Sequence, residues 1–229
     1  MPVVDLAATS KRELNERLHR LPHNANETAW LIENPQGQHA LAAGLTAPIT
    51  VEIGGHAGYY CGGMNQRATV IVHGNVGVGV GENMMSGKIH VKGDASQSAG
   101  ATAQGGLLVI EGDASARCGI SMKGVDIVVK GSVGPMSAFM AQSGNLVVLG
   151  DAGDALGDSI YETRIFVRGS VKALGADCVE KEMRDEHRSA LRQLLDAAGV
   201  DETVSVGEFR RYGSARRLYN FHVDNAASY

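Results

Sequence analysis

Seven glycines, Gly55, Gly74, Gly93, Gly112, Gly131, Gly150 and Gly169, stand 19 residues apart without a slip. A fixed short period is the mark of a stacked repeat, in which each unit buries its apolar face against the next. Two residues before the glycines run Ile53, Val72, Val91, Ile110, Val129, Val148 and Val167, and four before run Val51, Val70, Ile89, Leu108, Ile127, Leu146 and Ile165. Two residues after come Ala57, Val76, Ala95, Ala114, Val133, Ala152 and Val171, with the polar column His56, Asn75, Asp94, Asp113, Ser132, Asp151 and Ser170 between. This alternation is strand patterning that bends at the glycine, where a side chain would obstruct the turn or forbid a positive φ.

Seven residues beyond each corner a second one is marked by Gly62, Gly81, Gly100, Gly119 and Gly157, with Ala138 and Ala176 in the same column. Nineteen residues leave no room for a crossover helix. The predicted fold is therefore all-β: a single-stranded, right-handed parallel β-helix of about seven 19-residue coils over residues 49–176. At ~4.8 Å between coils it is roughly 34 Å long. In "NVGVGVGEN" the alternating Gly77, Gly79 and Gly81 imitate a phosphate loop, but such a loop needs a following helix to receive the anion. Here the strand-like "GKIHVKG" follows, and Gly77 and Gly81 fall in repeat columns shared with Gly58 and Gly62.

The flanking segments read as covers for the open ends of the stack. Residues 1–48 carry a capping pattern at Ser10 and Glu13, a short helix with Leu14, Leu18 and Leu21 on one face, and two strands about the turn residues Asn34 to Gly37. Residues 177–229 begin with a capping pattern at Asp177 and Glu180. They continue with Met183, His187, Leu191 and Leu194 or Leu195 at helical spacing up to Gly199, which predicts a helix closing the far end.

One outward column is apolar where a solvent face should be polar: Ile71, Val109, Val128, Val147 and Phe166. Such a stripe requires cover, from the chain's own tail or from another subunit. The tail offers Arg210, Arg211, Arg216 and Arg217 interleaved with Phe209, Tyr212, Tyr219 and Phe221, and arginine and aromatic side chains anchor interfaces. The apolar column together with these arginines and Tyr219 is thus the expected interface with partner chains.

Composition limits the chemistry. Three cysteines without a C-x-x-C pair argue against a disulfide framework and against a zinc or iron–sulfur site, and point to a reducing, cytoplasmic setting. There is no leader pattern at the N-terminus and no apolar run long enough for a membrane helix. A net charge of −4 gives no general attraction to nucleic acid.

Cys61 and Cys118 share a column three coils apart, too far for a disulfide, and read as small buried hydrophobes. His56, His73 and His90 fall in three columns and do not converge as ligands. Asp94 and Asp113 stack one coil apart, which demands either turn amides or a cation such as calcium between them. No catalytic, cofactor-binding or metal-binding residue is assigned within the chain.

The coils, "GNVGVGVGENMMSGKIHVKGDAS" above all, resemble the GXGXG domain at the C-terminal end of the glutamate synthase large subunit over about residues 50–175. The strings "GHAGYYCGGMN", "RCGISMKGVDIVVKGSVG" and "RRYGSARRLYNFHVDNA" are similar to the free-standing GXGXG subunit of N-methylglutamate synthase. That resemblance implies a β-helix subunit of a complex converting methylamine and L-glutamate to N-methyl-L-glutamate and ammonia. It also implies that an amidotransferase-like chain and a chain carrying FMN and iron–sulfur clusters are the partners. The β-helix subunits of formyltransferase/hydrolase or formylmethanofuran dehydrogenase complexes share the coils and are the nearest rival. A free-standing scaffold is a further one, while a carbohydrate-active β-helix would need carboxylates along an exposed groove.

Overall fold

In the computed structural model, which describes residues 1–25 and 29–216, the repeat builds a parallel β-solenoid. Seven strands, β3 (Thr50–Ile53), β4 (Thr69–Val72), β5 (Lys88–Val91), β6 (Leu107–Ile110), β7 (Lys123–Val129), β8 (Ser143–Val148) and β9 (Arg164–Val167), pair in parallel and in sequence order. Val51 faces Val70, which faces Ile89, and the 19-residue step persists to Val148 against Val167. The second small-residue column makes parallel bridges of its own, from Ala57 with Val76 to Ala152 with Val171. Both aliphatic columns are fully buried inside the coils.

The corner glycines serve close approach between coils. Six of the seven, from Gly74 to Gly169, have no left-handed backbone, so the expected need for a positive φ there is corrected. What excludes a side chain is the neighbouring coil: a Cβ on Gly112 would lie 2.1 Å from Asp94 Oδ1 and 3.0 Å from the Gly93 carbonyl. The left-handed positions belong to the second corner, where Gly119 has φ +70° and Ala138 accepts +56°.

The polar column beside the glycines forms a ladder. His56 Nδ1 accepts the Asn75 amide at 2.9 Å, Asn75 Oδ1 that of Asp94 at 3.0 Å, and Asp94 Oδ1 that of Asp113 at 2.9 Å. Asp113, Ser132 and Asp151 continue it to Ser132, Asp151 and Ser170. Each acceptor takes the amide of the next coil rather than of its own turn, which keeps the stacked Asp94 and Asp113 apart in function.

The N-terminal hairpin is corrected. β2 (Ala29–Glu33) pairs in parallel with β3 on one side and with β1 (Val3–Asp5) on the other. Trp30 faces Val51, 21 positions later, so residues 29–49 form one more coil, two residues longer than the rest. Its turns repeat the left-handed positions of the later coils, at Ala40, Ala42 and Gly44. The helix α1 (Lys11–His19) forms as expected, with Ser10 Oγ accepting the Glu13 amide and Leu14 and Leu18 buried in the solenoid core.

The C-terminal end is also corrected. The segment around Asp177 and Glu180 is a strand, β10 (Cys178–Lys181), and the helix α2 (Asp185–Ala197) starts later. Helix α2 does not close the stack. It lies on the outward face of the sheet, while the end is covered by β11 (Arg210–Ser214), antiparallel both to β9 and to β10.

Candidate functional site

The outward apolar column is where an interface was expected, and the chain itself covers most of it. Val109, Val128, Val147 and Phe166 are fully buried in a second core formed with Leu191 and Leu195 of α2 and with Ala198, Val200 and Phe209. These four are therefore removed from the predicted partner surface. A helix supplies the cover because residues spaced by four, His187, Leu191 and Leu195, present one apolar side to a sheet that is apolar on both faces. Ile71, two coils before Val109, lies beyond α2 and stays half-buried.

The arginines of the tail divide. Arg210 donates to the Gly169 carbonyl at 3.2 Å, Arg211 Nε donates to the Glu182 carbonyl at 2.9 Å, and Arg216 pairs with Asp177. All three hold the terminal strand pair in place. Arg217 and Tyr219 lie outside the described residues.

The histidines do not converge. His56 is a ladder acceptor, His73 Nε2 meets Glu52 Oε2 at 2.9 Å, and His90 Nε2 meets Glu111 Oε1 at 2.5 Å beside Lys130. Cys61 and Cys118 are buried in the core, and burial pushes each thiol up to about 12, far from a reactive thiolate. Cys178 is likewise raised, to about 11, by burial. Among the described residues no group of three or more His, Cys, Asp and Glu side chains is placed to hold a metal ion. No helix there is long and apolar enough to cross a membrane.

Besides Met1 and Val3 at the N-terminal edge and Leu174 and Val179 at the far end, the large apolar side chains left exposed among the described residues lie in the turn segments of the coils. Tyr59, Tyr60, Met64, Met85, Met140 and Tyr161 each leave more than two fifths of their surface to solvent. Met64 and Met140 share one repeat column, and Met85 and Tyr161 another. Tyr59 stacks on His39 with ring centres 4.5 Å apart and meets Tyr60 edge-on at 6.4 Å, so the aromatic end of this surface is preorganised. Sequence reasoning passed over these positions, because the Met64 and Met85 columns are otherwise polar and hold only two such side chains each, Met64 with Met140 and Met85 with Tyr161.

No family model matches the chain. It is 61% identical over 229 residues to Protein GlxC of Rhizobium meliloti (strain 1021), and the match spans all of both chains. At that identity, with every coil and both flanking segments included, the chain belongs to the GlxC family.

Proposed function

We propose that the chain is the β-solenoid assembly subunit of a glutamate-synthase-like complex, of the type that converts methylamine and L-glutamate to N-methyl-L-glutamate and ammonia. In this reading the amidotransferase-like chain and the chain holding FMN and iron–sulfur clusters carry the chemistry, and this subunit docks them. The observation that carries the docking role is the Tyr59, Tyr60, Met64 and Met85 surface. Large, adaptable and aromatic side chains left in water on a rigid scaffold are typical of interface cores. The GXGXG-like strings support the type of complex.

The test is a tagged co-purification from the native host. Flavoprotein and amidotransferase-like chains are expected to accompany the parent, and a Tyr60→Asp, Met64→Asp variant should lose them while keeping its own melting temperature. Recovery of the parent chain without either protein would sink the reading.

A further inference from the structure

The structure holds a second surface feature, at the C-terminal end of the solenoid, where Tyr161 of the exposed set forms part of the lining. There β9, β10, β11 and the start of α2 enclose an open cleft of about 380 Å³, the size of a small-ligand site. Five of its lining side chains are cations, Arg164, Lys181, Arg184, Arg211 and Arg216, against the one carboxylate of Glu162. Arg184 is paired with Glu182 at 3.2 Å and more loosely with Glu186, and Arg216 with Asp177. That leaves Arg164, Lys181 and Arg211, among the described residues, without a carboxylate partner, Arg211 bonding only the Glu182 carbonyl.

A second and independent sign lies in the cleft wall. Thr163 is only 1% exposed, lines the cleft, and its Oγ1 has no hydrogen-bond partner among the described residues. Buried hydroxyls are almost always satisfied; this one is closed to solvent as it stands, and turning the Thr163 side chain toward the cleft would let it meet a ligand oxygen beside the Arg164 guanidinium. The local field agrees: Arg211 is held below its usual range by burial and by the neighbouring Arg184 and Arg164 guanidiniums. His187 is lowered by burial and by Arg211.

We propose that this cleft binds a small, doubly charged oxyanion, a phosphoryl group or a dicarboxylate, between Arg164 and Lys181, with the Thr163 hydroxyl donating to one of its oxygens. Planar guanidiniums suit such groups because they can engage two oxygens at once. The antiparallel return of β11 builds the site, since it brings Arg211 alongside Phe166 and Lys181 alongside Arg211.

The experiment is calorimetric titration of the full chain with inorganic phosphate in one arm and glutarate in the other, with neutral glutaramide as control. Saturable one-site binding is expected for at least one anion and none for glutaramide, and the two arms tell phosphoryl from dicarboxylate. Arg164→Gln should weaken binding about tenfold. Thr163→Val should weaken it about threefold without lowering the melting temperature. Arg168→Gln, a cation just past the other end of β9 and outside the cleft, should leave it unchanged. Failure of both anions to saturate by about 20 mM, or an equal loss in Arg164→Gln and Arg168→Gln, overturns the proposal.

Discussion

The ammonium of Lys88, on β5, donates to the carbonyl of Ala197, the last residue of α2, at 2.9 Å. Lys130 does the same for the Gly199 carbonyl at 3.1 Å. Helix α2 has no basic residue in its last turn, so its unsatisfied carbonyls and negative dipole end are met by lysines of the sheet it covers.

Removing these contacts is expected to loosen the helix. Lys130→Met should destabilise the chain by about 1–2 kcal/mol, because it also strips Glu111 of a partner at 2.9 Å. Lys88→Met should cost about 0.5–1 kcal/mol. Urea unfolding followed by circular dichroism measures both, and α2 amides should exchange faster in each variant.

Val128 is fully buried beneath α2, so Val128→Asp is a folding variant rather than an interface variant. An unpaired carboxylate at that position should cost about 3 kcal/mol or more in the isolated chain. A Val128→Asp chain that melts with the parent but fails to assemble would return this face to the partners.

Two glycines separate close approach from backbone conformation. Gly112→Ala drives a methyl into the Asp94 carboxylate that holds the Asp113 amide and should cost about 2–4 kcal/mol. Gly119→Ala meets only side-chain atoms, the Met122 sulfur at 3.0 Å and Ile127 Cδ1 at 3.4 Å nearest, and should cost about 1–2 kcal/mol for its left-handed backbone. The order of the two, read from chemical denaturation, is the check.

His187 gives the fold an acid-sensitive joint. Its Nδ1 accepts the Arg184 amide at the start of α2, which requires an unprotonated nitrogen, and burial followed by Arg211 lowers its pKa. The stabilisation is whole above the unfolded pKa of about 6.5. It is lost as pH falls from there toward the lower folded value, because the unfolded chain takes up its proton first. His90, lowered chiefly by burial against the opposing pull of Glu111, slopes the same way. The check is therefore the difference between parent and His187→Gln, whose stability should fall less between pH 7 and pH 5.

The repeat was legible in the sequence because each coil must place the same residue types at the same points. A buried ladder accepts only Val, Ile or Leu, and the approach of two coils at Gly112 accepts only glycine. The period alone thus determined the fold class, the strand register from Val51 to Val167 and the burial of Cys61 and Cys118. It could not reveal the coil at residues 29–49, whose 21-residue step breaks the count while its hydrogen bonding continues it. Nor could it say what covers Val109, Val128, Val147 and Phe166, because an apolar stripe states only that water must be excluded. That Leu191 and Leu195 of the same chain do this, and that β11 returns antiparallel to bring Arg164, Lys181 and Arg211 around Thr163, was decided by tertiary packing between residues far apart in the chain.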